Sequence, residues 1–212
     1  MISRRRTIRS GALATAVAIG GCLSRGGSDS EPHPATDASF PTLGDDPDDV
    51  AATVVAFEDP SCDSCATFAE RTFPKLREAA REGRLAYRWC GLPWVELWSD
   101  SAVQALFEVH DRSAEAFWTL KGRYYDAQAR LDSETVLEWT SEQLRELDVE
   151  TEPVIEAIER RRRDEDLERH ERIAEESDVE QVPSFALFSE GEYVTTVVGA
   201  QSYEVFEGAL EL

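Results

Sequence analysis

Two cysteines, Cys62 and Cys65, are separated by two residues and follow an apolar stretch and the short loop Glu58–Ser61. The residues after Cys62 predict a helix, so the pair lies in its first turn. Unpaired N–H groups and the positive end of the helix dipole stabilise a thiolate there. Cysteines at positions i and i+3 close a small, strained and exposed disulfide ring, which exchanges readily. The spacing therefore predicts a redox centre, and an inert local disulfide is the alternative.

A second segment, Gln181–Phe185, lies far downstream and places Pro183 directly before an apolar strand. The two segments together resemble the DsbA-like branch of the thioredoxin superfamily. The resemblance covers roughly residues 40–212. It extends to the shorter segments Leu43–Asp46, Thr72–Leu76, Phe117–Trp118 and Val198–Phe206. It implies an α/β thioredoxin fold with a central mixed β-sheet and a helical subdomain inserted at about residues 96–178.

The chemistry expected of the two cysteines is thiol–disulfide exchange. We expect Cys62 to be the exposed nucleophilic sulfur and Cys65 the buried resolving sulfur, with no cofactor besides their own disulfide. Pro183 resembles the family's cis-proline, whose loop packs beside that disulfide. The resemblance also implies that Val182 presents its backbone to a bound peptide in a β-like pairing.

Three residues near the cysteines are expected to tune them. The dipeptide Asp63-Ser64 departs from the family's common Pro-aromatic or Pro-His pair. The charge of Asp63 should raise the pKa of Cys62 and make the disulfide a weaker oxidant than the strongest members of the family. Ala56 stands where thioredoxin relatives keep a buried acid. Glu58 is then the nearest candidate for proton transfer to Cys65, the alternative being a solvated loop acid.

The sequence contains four cysteines in all, which is too few for a disulfide scaffold. Cys90 ends a predicted strand beside the active-site strand; a buried structural cysteine is favoured over a third redox thiol. No second cysteine pair of zinc-ribbon type exists, and we predict no metal site.

Residues 1–22 are interpreted as a signal peptide. Its basic start resembles a twin-arginine signal, and the apolar run that follows is too short to span a bilayer. Ile19–Cys22 resembles a lipobox, which predicts lipidation of Cys22 over a plain cleaved signal or an N-terminal anchor. Residues 23–42 are interpreted as a flexible acidic tether and residues 43–212 as the folded domain.

The formal net charge is −21, although the leader contains arginines and no acidic residue. Such an excess argues against binding to nucleic acid or anionic membranes. It should also destabilise the compact state unless salt screens the repulsion. The composition is typical of a halophilic protein and the leader resembles that of a haloarchaeal surface protein, with an ordinary acidic protein as the alternative.

Hydrophobic patterns predict the elements that position the cysteines. Ala51–Phe57 is typical of a central buried strand, followed by a helix from Cys62 to about Gly83 that Pro74 should kink. Leu85–Cys90 is expected to pair with the first strand in parallel. Residues 190–191, Glu-Gly, predict a two-residue hairpin turn between two later strands.

The favoured function is an extracytoplasmic, lipid-anchored thiol–disulfide oxidoreductase that forms or exchanges disulfides in exported proteins and is recycled by a membrane redox partner. A reductase or isomerase of the same fold is the nearest alternative. A soft-metal (copper) chaperone that uses Cys62, Cys65 and Cys90 is an alternative of a different class. A peptide-binding chaperone without catalysis is another.

Overall fold

The computed structural model describes residues 32–36 and 40–212. The predicted signal peptide, Cys22 and most of the predicted tether lie outside the described residues. None of the helices in the described part is both long enough and apolar enough to cross a membrane.

Five strands in the described residues form one sheet, which is mixed as expected and has one strand more than the four predicted. They are β1 (Thr42–Leu43), β2 (Ala52–Glu58), β3 (Ala86–Gly91), β4 (Ser184–Ser189) and β5 (Glu192–Val198). The spatial order is β1-β3-β2-β4-β5, with β2 parallel to β3 and the other neighbouring pairs antiparallel. Every residue of β2 is buried, which explains its nearly continuous apolar sequence. The carboxyl ends of β2 and β3 therefore lie side by side, directly before the cysteine pair.

Eight α-helices accompany the sheet in the described chain. They are α1 (Asp63–Arg71), α2 (Phe73–Arg81), α3 (Ser99–His110), α4 (Ala114–Ala127), α5 (Val136–Glu146), α6 (Thr151–Glu159), α7 (Asp164–Glu176) and α8 (Tyr203–Leu210). Helices α3 to α7 lie between β3 and β4 in the chain, which agrees with the expected helical insertion. Their apolar faces form a core around Trp89, Phe117 and Tyr124.

The prediction of one kinked helix from Cys62 to Gly83 was wrong. Helix α1 ends at Arg71, and α2 begins afresh at Phe73 with Pro74 in its first turn. Proline has no N–H to donate and clashes with the preceding turn of a helix, whereas the first turn of a new helix tolerates it. Between the helices, the Thr72 hydroxyl donates a hydrogen bond of 2.7 Å to the Gln201 carbonyl.

The sequence from Thr151 through Leu167 predicts one charged helix at the end of the insertion, but the structure divides this region into two helices, α6 and α7. Arg161 lies between them with a φ of +51°. Its guanidinium reaches Asp100 on α3 and Asp164 on α7, both at 3.0 Å. Residues 160–163 are four consecutive arginines, and their acidic neighbours at helical spacing predict an ion-paired face. These arginines are ion-paired in the structure, but α3 supplies partners that helical spacing alone does not predict.

Part of the predicted tether belongs to the folded unit. Ala35 and Phe40 are buried in the core beside β2 and β4. His33 stacks on Tyr193 with 4.4 Å between ring centroids. These apolar contacts hold residues 32–36 and 40–42 on the domain, so the domain begins earlier than residue 43.

The hairpin between β4 and β5 agrees with the prediction. Glu190 and Gly191 form its turn with φ values of +52° and +79°. Positive φ at both central residues is the conformation whose twist matches that of paired strands.

Candidate active site

Cys62 lies at the point where the sheet gives way to α1. Its N–H donates to the Asp59 carbonyl at 3.1 Å, which closes the turn after β2. Cys62 is the N-cap of α1, and its Sγ accepts a hydrogen bond of 3.3 Å from the Cys65 N–H. The sulfur thus takes the place of the side-chain oxygen that caps most helices. Both cysteines are free thiols in this structure.

The helix start lowers the pKa of Cys62. The hydrogen bond with the Cys65 side chain contributes most, and the N–H groups of Cys65 and Ser64 add to it. Burial and the negative charge of Asp59 act in the opposite direction. Together these effects bring the pKa of Cys62 from 9.0 to about 7. A substantial fraction of this sulfur is therefore thiolate at neutral pH.

Cys65 has the opposite electrostatic environment. Its side chain is fully buried, and burial raises its pKa far above the ordinary value. The hydrogen bond with Cys62 and the negative charge of Glu58 raise it further. Cys65 is therefore the protonated member of the pair, which fits the resolving role expected for it.

The expectation of an exposed Cys62 was wrong in degree. Cys62 is 6% exposed and Cys65 is 0% exposed, so the order of accessibility is as expected but the first sulfur is largely covered. Tyr125 of α4, Val182 and the alanines of α1 pack around the two sulfurs. The helical insertion supplies Tyr125 to this cover, which local sequence around the cysteines does not reveal.

Pro183 lies beside the cysteine pair. The Val182–Pro183 peptide is cis, as the resemblance implies, and the Val182 carbonyl is 3.6 Å from the Cys62 Sγ. A loop 120 residues away in the chain thus contacts the first sulfur. The peptide-docking role of Val182 stays a prediction.

Glu58 is the last residue of β2, and it is not a solvated loop acid. It is fully buried, and its Oε2 accepts hydrogen bonds from Lys121 Nζ at 2.7 Å and Tyr87 hydroxyl at 3.2 Å. Its Oε1 has no partner in the structure. A buried acid with an unused oxygen therefore lies close enough to Cys65 for its charge to raise the pKa of that thiol.

Lys121 was not identified from the sequence. Its ammonium lies 4.8 to 5.8 Å from the centroids of four aromatic rings, those of Phe73, Tyr87, Trp118 and Tyr125. Cation–π attraction and the ion pair with Glu58 offset the cost of burying this charge. The sequence did indicate that Lys121 is buried, because it lies at helical spacing from Phe117 and Tyr125 in an otherwise apolar stripe.

Asp59, next in the chain to Glu58, was also missed. One oxygen of its buried carboxylate accepts from the N–H and the hydroxyl of Ser61, at 2.6 and 2.7 Å. The other accepts from the N–H groups of Trp94 and Val95, both at 2.7 Å, and from the Ser99 hydroxyl at 3.4 Å. Asp59 thereby joins the active-site loop to the loop after β3 and to the start of α3.

Gln128 supplies another connection between the insertion and the active site. Its Nε2 donates to the Pro60 carbonyl at 2.8 Å and to the Cys62 carbonyl at 3.0 Å. The end of α4 is thus fixed over the loop that carries the nucleophile. Tyr125, one turn earlier, is buried against both cysteines, yet its hydroxyl has no hydrogen-bond partner.

Cys90 is buried away from the redox pair. It packs among Val55, Phe57 and Leu92, whereas Cys62 and Cys65 pack with Tyr125 in a separate cluster. This packing favours the structural interpretation of Cys90. Within residues 32–36 and 40–212, no group of three or more His, Cys, Asp or Glu side chains is arranged to hold a metal ion.

The comparisons with known proteins agree with this geometry. A family model described as thioredoxin matches residues 46–211. The chain belongs to the thioredoxin family. No curated protein matches the sequence.

Solved structures of several DsbA-like proteins have a similar fold. The oxidised form of BdbD from Bacillus subtilis is 19% identical, with a TM-score of 0.72 over 81% of this chain and 91% of that one. DsbA from Chlamydia trachomatis is 19% identical, with a TM-score of 0.70 over 82% and 91%. The catalytic domain of ScsC from Proteus mirabilis is 20% identical, with a TM-score of 0.62 over 84% and 92%. At these identities the similarity shows a shared thioredoxin fold with the helical insertion.

Proposed function

We propose that this protein is an extracytoplasmic thiol–disulfide oxidoreductase that forms or exchanges disulfides in exported proteins. The observation that supports it most is the opposite effect of the fold on two sulfurs three residues apart. The Cys62 pKa is lowered to about 7, while that of Cys65 is raised. A sulfur that attacks and later leaves must be stable as a thiolate. A resolving sulfur must stay buried and protonated until it reacts with the mixed disulfide.

The proposed reaction has two exchanges. A substrate thiolate attacks Cys62 of the oxidised protein, the Cys62–Cys65 bond breaks, and Cys65 leaves as a thiolate that takes up a proton. A second substrate thiolate then attacks the substrate sulfur of the mixed disulfide, and Cys62 leaves as a thiolate. The substrate loses two electrons, the protein gains them, and a membrane redox partner removes them in the next cycle.

Glu58 is the proposed proton acceptor and donor for Cys65. Burial makes the Cys65 thiolate costly, so a proton must leave and return at each turnover. The Glu58 carboxylate is buried with it and has one oxygen free of hydrogen bonds. Lys121 balances the negative charge of Glu58.

Reduction and reoxidation against a glutathione buffer in high salt test the redox activity. We expect wild-type protein to equilibrate between dithiol and disulfide, and Cys62→Ala to lose exchange with a reduced unfolded model protein. Cys90→Ser is the matched control and should retain exchange. A Cys62→Ala variant that still oxidises the model protein would contradict the proposal, and retained binding without any exchange would favour a peptide-binding chaperone.

The proton-transfer role has its own test. Glu58→Gln should slow reoxidation at least tenfold at pH 7, and the deficit should shrink at high pH where hydroxide removes the proton. Glu70→Gln changes an exposed acid near the end of α1 and should have no such effect. A pH-independent loss in Glu58→Gln would show a structural role instead.

Extracytoplasmic attachment is proposed from the leader alone. Basic residues, a short apolar run and Cys22 follow one another in the order of a lipoprotein signal. Mass spectrometry of the membrane-extracted protein should find a mature chain that begins at a lipid-modified Cys22. An unmodified Cys22 in a membrane-bound chain would favour the plain N-terminal anchor.

A further inference from the structure

A cleft of about 520 Å³ opens beside the cysteine pair, between the active-site loop, the loop after β3 and the end of α4. Its lining includes Ser61 and Asp63, the immediate neighbours of the nucleophile in the chain. Tyr125, which packs against both cysteines, forms part of the same wall. A substrate segment that reaches Cys62 therefore has this cleft next to it.

The charge of the cleft is entirely negative. Four carboxylates line it, those of Asp63, Glu96, Asp126 and Asp132, and no basic side chain does. Asp63, Glu96 and Asp126 form no ion pair with any described residue, although ion pairs are frequent among α3, α6 and α7. Asp132 accepts hydrogen bonds from the Thr135 side chain and backbone, which lower its pKa and keep it ionised.

An apolar side chain projects at the edge of the cleft. Leu97 is 89% exposed, the highest value for a large apolar side chain in the described chain. Its loop is held against the active-site loop: Asp59 binds the N–H groups of Trp94 and Val95, and the Ser61 hydroxyl accepts from the Glu96 N–H at 3.0 Å. The fold thus holds Leu97 exposed to solvent at the edge of this cleft, where a bound partner can cover it.

A buried polar atom in the cleft wall also lacks a partner. Tyr125 is 6% exposed, and its hydroxyl makes no hydrogen bond. A buried hydroxyl without a partner costs free energy. One residue of the cleft wall therefore carries a polar group that the fold leaves unsatisfied.

We propose that this cleft binds the substrate segment next to the reactive cysteine and selects segments that carry arginine or lysine together with an apolar side chain. The inference rests on the proposed exchange at Cys62. Positive charge complements the unpaired carboxylates, and an apolar side chain covers Leu97. Like charge would repel acidic segments from the same cleft.

Three synthetic peptides, each with one cysteine, test the selection. The first has arginine and leucine beside the cysteine, the second replaces the arginine with glutamate, and the third replaces the leucine with serine. Each rate of attack on the oxidised protein is divided by the rate of the same peptide with hydroxyethyl disulfide, which corrects for differences in thiol reactivity. Measurements use the lowest salt concentration at which circular dichroism shows the native fold.

We expect the arginine peptide to react about tenfold faster than the glutamate peptide with wild-type protein. The ratio should fall to about twofold in Glu96→Gln/Asp126→Asn. The double variant Glu175→Gln/Glu207→Gln is the matched control, because it removes the same charge from exposed positions on α7 and α8 that do not line the cleft. Its ratio should stay near the wild-type value.

Equal rates for the arginine and glutamate peptides with wild type would overturn the proposal. So would a fall of their ratio in the control variant as large as that in Glu96→Gln/Asp126→Asn. Loss of reaction with every thiol, glutathione included, would instead overturn the proposed exchange itself.

Leu97→Ser should reduce the preference of the protein for leucine over serine in the peptide. A wild type that sediments as a dimer and a Leu97→Ser variant that sediments as a monomer would show that a second copy of the chain covers the cleft, and would also overturn the proposal.

Discussion

Glu58 and Asp59 are neighbours in the chain and both are fully buried, yet their surroundings differ. The Asp59 carboxylate accepts five hydrogen bonds from N–H and O–H groups, and these are its only partners in the described structure. Glu58 pairs with Lys121 and Tyr87 through one oxygen and leaves the other without a partner. The first carboxylate is satisfied and the second is not.

This difference in hydrogen bonding indicates a structural role for Asp59 and a chemical role for Glu58. A carboxylate whose oxygens are both occupied holds its neighbours in place, because any movement breaks several charge-assisted hydrogen bonds. A buried carboxylate with a free oxygen has a position at which a proton can bind. The two also act on different sulfurs: Asp59 raises the pKa of Cys62, and Glu58 raises that of Cys65.

Replacement of Asp59 by Asn should have the largest effect on stability. The amide matches the shape of the acid but turns an NH₂ group toward donors that now lack an acceptor. We expect the free energy of unfolding to fall by about 4 kcal/mol, because several buried N–H groups lose charge-assisted hydrogen bonds. Denaturant unfolding of the reduced protein measures it.

Asp63→Asn is the matched control for this substitution. It makes the same change at an exposed carboxylate four residues later, whose side chain forms no hydrogen bond within the described structure. Its effect should be within about 0.5 kcal/mol. Equal effects at the two positions would show that Asp59 does not hold the active-site loops together.

Lys121→Met tests the surroundings of Glu58. It leaves the Glu58 carboxylate buried without its cation, and we expect the free energy of unfolding to fall by about 3 kcal/mol at pH 7. The double variant Glu58→Gln/Lys121→Met removes both charges and should recover most of the loss. If the two single effects simply add in the double variant, the pair does not interact as the 2.7 Å contact indicates.

The sequence predicted the cysteine pair at a helix start, the parallel pairing of β2 with β3 and the hairpin of β4 and β5 because each depends on local pattern. The cis proline at Pro183 was predicted from the family resemblance. The apolar run of β2 and the Glu-Gly turn are direct consequences of burial and of backbone conformation. The family resemblance placed the helical insertion. These features need no knowledge of which helix packs on which side chain.

The cover over the cysteines could not be predicted in the same way. Lys121, Tyr125 and Gln128 lie about 60 residues from the motif and reach it only because α4 packs on α1. Solvation of Glu58 was an open alternative for the same reason, since only tertiary packing decides that Lys121 meets it. Helix ends at Thr72 and Arg161 were missed because side-chain partners from other elements stabilise them.

The thiolate of Cys62 predicts a pH dependence of stability. Its folded pKa of about 7 lies below the ordinary value of 9.0, so the thiolate stabilises the reduced fold fully above pH 9 and loses this contribution as the pH falls through 7. The difference in unfolding free energy between reduced wild type and Cys62→Ser should therefore rise by about 2 kcal/mol from pH 7 to pH 9. A constant difference over this range would show that the Cys62 pKa is not lowered.

Asp63→His should have the smallest effect, on the redox equilibrium rather than on stability. Asp63 is exposed and next to Cys62, where water screens its charge more than that of the buried Asp59. Removal of its negative charge stabilises the Cys62 thiolate, which favours the reduced protein and raises the reduction potential. We expect the equilibrium constant with glutathione to shift about threefold toward the dithiol. Glu70→His, at the far end of α1, is the control, and a fall or no change in the potential of Asp63→His would leave Asp59 as the acid that tunes Cys62.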